Sequence, residues 1–186
     1  MSSEDVNAIR KKIKEFIEGP ERYLKIPYEG PDSNPRIWWH KIVLQSRLRF
    51  FWQSFIIFLC TILPSGEFKN GLLRSIGMNI GKGAFIAPLV FLDVEFPHLL
   101  SIGEGAVVGT MTKILTHEVT IKSIRLGKTE IGKQVLVGAG SVLRCGVSIG
   151  EGAVVSMNSF VNRDVPPFHV VGGSPLQDIK KLDKLI

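Results

Sequence analysis

The chain has 186 residues, of which 45% are hydrophobic, enough for one domain with an appendage and a sizeable core. Its net charge of +6 favours anionic partners, but no nucleic-acid fold motif accompanies the basic residues, which argues against a nucleic-acid binder. The two cysteines, Cys60 and Cys145, sit in apolar or repeat contexts and read as buried thiols of a reducing compartment, so a cytoplasmic protein is expected. The four histidines are scattered and neither cysteine lies near one, so no metal site is expected.

Residues 1–66 read as an N-terminal arm. Ser2 and Ser3 precede acidic Glu4 and Asp5, and Ile9, Ile13, Phe16 and Ile17 recur at helical spacing until Gly19-Pro20. Tyr28–Pro35 is rich in Pro, Gly and Asp and reads as a linker. Residues 36–64 are dense in apolar side chains, with Trp38, Trp39, Phe51, Trp52, Phe55 and Phe58 among them, and Arg36, Lys41, Arg47 and Arg49 precede the uncharged run. That run, Phe50–Pro64, falls short of the about 20 apolar residues that a membrane span needs. It begins some fifty residues in, so it is no signal peptide. A helix packed on the body of the protein and a helix lying on a membrane surface both remain open.

A different pattern governs residues 67–172. From Ile131 to Val161 an aliphatic residue falls at every sixth position: Ile131, Val137, Leu143, Ile149, Val155 and Val161. A second rail runs four residues on, through Val135, Ser141, Val147, Ala153, Ser159 and Val165. Neither a helix nor a two-faced strand has a period of six. Hexapeptides of this kind build the faces of a parallel β-helix, three faces to a coil of eighteen residues. The period extends back through Ile80, Ile86, Leu92, Ile102, Val108 and Ile114, for about five coils in all. It breaks at Glu95–Leu100 and again between His117 and Thr129, and such loops on a rigid scaffold are where binding and catalysis concentrate. Residues 173–186 form a tail.

The array resembles the hexapeptide-repeat acyltransferases, among them the galactoside, maltose and nodulation-factor O-acetyltransferases. The resemblance is carried by Ile114-Leu115-Thr116-His117, by Val137-Gly138-Ala139-Gly140-Ser141-Val142, and by Asn162-Arg163-Asp164-Val165-Pro166-Pro167 through Val170-Val171-Gly172-Gly173-Ser174-Pro175. It implies a mainly β protein, a left-handed parallel β-helix, that assembles as a homotrimer with sites in the grooves between prisms. It implies acetyl-coenzyme A as the acyl donor and direct transfer to a sugar or glycan hydroxyl, without an acyl-enzyme.

His117 stands where an in-phase strand ends and a loop begins, and an imidazole near neutrality suits removal of an acceptor proton. By resemblance it is the general base. Asp93 follows Leu92 at the first break, where the family presents a sugar-contacting carboxylate; a turn Asp bonding its own backbone is the alternative. Glu118, beside the base, is the second candidate for acceptor binding. The family's coenzyme contacts fall on Ala139 and Met157, its polar-basic pair on Asn162 and Arg163, and its basic tail residue on Lys180. Arg and Lys suit a phosphate. Cys145 has no adjacent base and is not a nucleophile. The alternatives are an N-acyltransferase acting on an amino sugar or xenobiotic, a zinc β-helix resembling carbonic anhydrase, and a non-catalytic scaffold.

Overall fold

The computed structural model describes residues 3–27 and 47–182. The predicted linker and the segment holding Trp38 and Trp39 lie outside the described residues. Coil one of the prism comprises β2 (Asn79–Ile80), β3 (Phe85–Ile86) and β4 (Phe91–Leu92), and coil two β5 (Leu100–Ile102), β6 (Val107–Val108) and β7 (Lys113–Ile114). Coil three is β10 (Thr129–Ile131), β11 (Leu136–Val137) and β12 (Val142–Leu143), and coil four β13 (Ser148–Ile149), β14 (Val154–Val155) and β15 (Phe160–Val161). Corresponding strands pair in parallel and stack into three sheets. The first face holds β2, β5, β10 and β13, the second β3, β6, β11 and β14, and the third β4, β7, β12 and β15. The winding is that of a left-handed β-helix. Coil five is partial, with Val165 bridging Ile149 and β16 (His169–Gly172) extending the second face. The tail strand β17 (Gln177–Lys181) then closes that face by pairing antiparallel with β16.

The rails explain the stack. Val137, Leu143, Val155 and Val161 are fully enclosed, and so are Ser141 and Ala153 of the second rail. Ser141 and Ser159 fit an apolar interior because their hydroxyls donate to the carbonyls of Gly138 and Ser156, each at 2.7 Å. At the corners the coils nearly touch: a Cβ on Gly103 would lie 2.5 Å from the Gly132 carbonyl carbon, and one on Gly132 2.8 Å from Glu151 N. Only glycine permits that approach.

Ile131 pairs with Ile149, eighteen residues on, so coil three has no insertion. Ile80 pairs with Ile102 and Ile102 with Ile131, spacings of twenty-two and twenty-nine. The surplus leaves both coils at one place, the corner between the third face and the first. In coil one it makes a 3-10 turn, Pro97–Leu99. In coil two it makes a hairpin of β8 (His117–Val119) and β9 (Ser123–Gly127).

The described residues of the predicted arm fall into two pieces, and the second continues past residue 66 into a helix where the repeat array was expected. The first, α1 (Ser3–Glu18) and β1 (Tyr23–Pro27), packs behind the loops. β1 adds antiparallel to β9, with Tyr23 opposite Gly127, and Ile13 and Phe16 of α1 join Ile26, Phe96, Leu99, Ile124 and Leu126 in a second small core. The second piece, α2 (Arg47–Ile62) and α3 (Glu67–Ser75), caps the open end of coil one. An open coil exposes unpaired carbonyls, and α3 satisfies them. Lys69, fully buried, donates from Nζ to Ile86 O and Ala87 O, both at 3.0 Å. Asn70 serves Ala84 O at 2.8 Å and Arg74 serves Ile80 O at 2.7 Å. Among the described residues no helix is long and apolar enough to cross a membrane.

Candidate active site

Leu92 and Ile114 are register partners, so the residues after them share the corner from which both loops leave. Asp93 follows the first and Thr116-His117 the second. The Asp93 side chain is almost wholly enclosed, with 1% of it exposed, and its Oδ2 lies 2.6 Å from His117 Nδ1. Oδ2 also accepts the backbone N–H of Thr116 at 2.9 Å and of His117 at 3.2 Å, while Oδ1 accepts that of Glu95 at 3.1 Å. Asp93 makes the expected turn contact to its own loop and, beyond either sequence-based role, grips the imidazole.

The electrostatics set the tautomer. Burial opposes ionisation of Asp93, but the hydrogen bond and charge of His117, with the Thr116 N–H, override it and hold the carboxyl well below its usual range. An ionised carboxylate only accepts, so Nδ1 carries the proton and Nε2 is the basic nitrogen. For His117, burial disfavours the imidazolium, yet the Asp93 hydrogen bond and the charges of Asp93, Glu95 and Glu118 outweigh it and raise the pKa above 6.5. Glu95 stands 3.9 Å from Nδ1, and burial together with Asp93 pushes it up to about 7. The Phe96 ring lies against the imidazole, centroids 5.8 Å apart. Asp93, Glu95 and His117 bring ligand atoms within 4.8 Å of one another and are the described group that could hold a cation. The Asp93 oxygen facing that point is already shared by an imidazole and two amides, a better arrangement for steering a proton.

Glu118 follows His117 within the hairpin strand β8. Both its oxygens are engaged by Arg144, Oε1 at 2.6 Å from Nε and Oε2 at 2.9 Å from Nη2, with Arg125 at 3.6 Å. The Arg144 hydrogen bond draws its pKa down. This fork pins the hairpin to coil three. Cys145 lies buried beside it, with burial and Glu118 pushing its thiol up to about 12. Cys60 and Cys145 are both free.

The coenzyme candidates lie elsewhere on the chain. Ala139 and Met157 stack on the corner between the second and third faces, where Asn158 N donates to Ala139 O at 2.9 Å. Ala139 is half-buried and Met157 exposed. Asn162 and Arg163 turn the same corner as His117, two coils further up. Arg163 is ion-paired to Asp178 of the tail strand at 3.1 Å, and Lys180 is exposed on that strand opposite Val170. The structure therefore brings Asp93 and Glu118 to His117 but leaves Ala139 and Met157 across the third face from it. Sequence reasoning missed Glu95, Phe96 and Arg144. The signal for the Asp93 contact was present in the phase of Leu92 and Ile114.

Residues 128–163 match the family model of the hexapeptide repeat of succinyl-transferase. YvoF of Bacillus subtilis, provisionally named an acetyltransferase, is 36% identical over 150 residues, covering 80% of this chain and 87% of its own. The crystal structure of a hexapeptide-repeat acetyltransferase of Vibrio cholerae with acetyl-coenzyme A superposes with a TM-score of 0.62, at 21% identity over 77% of this chain and 93% of that one. A maltose O-acetyltransferase of Clostridium difficile gives a TM-score of 0.56, at 18% identity over 77% and 92%. The chain belongs to the hexapeptide-repeat acyltransferase family.

Proposed function

We propose that this protein transfers an acetyl group from acetyl-coenzyme A to a hydroxyl of a sugar or glycan, with His117 as general base. The observation that carries the reading is the 2.6 Å contact between Asp93 and His117. It fixes the tautomer in which Nε2 accepts a proton, and it stabilises the imidazolium that results. The acceptor oxygen attacks the thioester carbonyl carbon as its proton passes to Nε2. The carbon–sulfur bond then breaks, and the departing thiolate takes the proton back from the imidazolium. No acyl-enzyme is required, and Cys145, buried and held as a thiol, offers no competing nucleophile. The maltose O-acetyltransferase and the acetyl-coenzyme A complex among the structural relatives support the choice of acceptor and donor.

Ala139 and Met157 would line the slot for the coenzyme's arm, and Asn162, Arg163 and Lys180 would meet its phosphates. One chain carries the base on one corner and the small-residue slot on the next, which supports a groove shared between copies in a homotrimer. The outward residues support the same assembly. The first face presents Asn79, Ser101, Glu130 and Ser148, whereas the second and third present Phe85, Leu136, Phe91 and Phe160, each at least 37% exposed. Apolar patches of this kind mark interfaces. A thiol-release assay with acetyl-coenzyme A against sugars, amino sugars and glycolipids tests the reading. Turnover with a sugar hydroxyl supports it, and turnover with amines alone overturns it. Light scattering checks the trimer.

A further inference from the structure

We infer that α2 docks the protein on an anionic membrane surface. One side of α2 is committed to the fold, where Ile56, Ile57 and Cys60 join the main core. The other side is a continuous apolar stripe: Leu48, Phe51, Trp52, Phe55, Phe58 and Ile62 are each at least 56% exposed. Such residues at turns of one helix cover nothing within the described chain, and an isolated protein rarely leaves so large a patch in water. The charge of the sequence that carries the stripe selects its occupant. From Ser33 to Gly66 the sequence has no acidic residue, while Arg36, Lys41 and Arg47 precede Leu48 in the sequence and Arg49 directly follows it. Aromatic and aliphatic residues flanked by cations suit the boundary between anionic headgroups and acyl chains. At sixteen residues α2 is too short to cross a bilayer, so it lies along the surface.

The place of α2 gives this docking a use. It caps coil one, and Leu89 of that coil donates its N–H to Thr61 O of the helix at 2.6 Å. His117 leaves coil two, one strand spacing of about 4.8 Å further from the cap. A surface beneath α2 would therefore hold the catalytic corner close to headgroups, where a lipid-carried sugar presents its hydroxyls. The choice of acceptor rests on the acetyl-transfer reading; the docking does not.

The full chain should sediment with vesicles of equal parts phosphatidylglycerol and phosphatidylcholine, and far less with phosphatidylcholine alone. Phe51→Ser combined with Phe55→Ser should lower the partition coefficient about a hundredfold, from the burial worth of two aromatic side chains, without changing the melting temperature. Failure of the intact chain to bind anionic vesicles at low salt overturns the inference. So does a double variant that binds vesicles normally, or one that changes the oligomeric state of a chain that ignored vesicles, since the stripe is then a subunit contact. Turnover of an alkyl glycoside embedded in the vesicles should fall in the double variant, while turnover of the same glycoside free in solution stays. Vesicle binding without turnover of either glycoside would overturn the catalytic reading and leave the docking standing.

Discussion

The upper two coils and the lower two share the same buried rails and differ at one corner. Coils three and four pass that corner in a tight turn, and the six-residue phase runs unbroken from Ile131 to Val161. Coils one and two release four and eleven extra residues there, judged by the spacings of Ile80, Ile102 and Ile131. All the close contacts of His117 described here come from the interrupted part. Periodicity builds a rigid edge, and departures from it place the Asp93–His117 pair on that edge.

Substitutions on either side of this contrast should separate the two roles. His117→Ala should lower turnover about a hundred- to ten-thousand-fold, the usual worth of a general base. The fold should persist, because Asp93 keeps its bonds to the N–H groups of Glu95, Thr116 and residue 117. Steady-state kinetics beside thermal melting read both effects. Leu143→Ala, in the regular stack, should do the opposite: it removes a fully enclosed side chain at a cost of about 2–5 kcal/mol. Turnover per folded molecule should hold, as a denaturation curve paired with active-site titration would show.

Smaller effects sharpen the picture. Arg163→Ala and Lys180→Ala should each raise the Michaelis constant for acetyl-coenzyme A about tenfold and leave that for the acceptor in place. A charged hydrogen bond is worth about 1.5–3 kcal/mol, reduced here by exposure. The smallest change concerns the fork between Glu118 and Arg144. A carboxyl with a lowered pKa stabilises the fold above its ordinary 4.5, and that contribution fades as pH falls through its folded value. The stability gap between wild type and Arg144→Ala should therefore be present at neutral pH and close on acidification below 4.5, with a size of about 1 kcal/mol or less for a partly exposed pair. Amide exchange across residues 117–127 would report it.

Legibility in the sequence follows the same division. The stack was readable because each hexapeptide repeats one local instruction, an aliphatic residue inward and a small one at the corner. Both breaks were visible as lost phase, and His117 was visible as a histidine at a break. The shape of the breaks was not. Glu118 meets Arg144 and β1 meets β9 across long stretches of sequence with no shared period, so local propensity carries no trace of either pairing. For the same reason α1 read as part of an arm, although Ile13 and Phe16 help to build the wall behind the corner that holds His117. The helix within residues 36–64 was legible from its apolar density, but the sequence did not say which side would remain exposed.

The central claim is that Asp93 governs the protonation of His117, and the pH profile of kcat/KM tests it most directly. His117 must be neutral to act as a base, so activity should rise with pH through a pKa above 6.5 in the wild type. Asp93→Asn removes the acceptor charge that raises this value, so the acid limb should move to lower pH as the plateau falls. An acid limb at the same pH in both proteins would contradict the account.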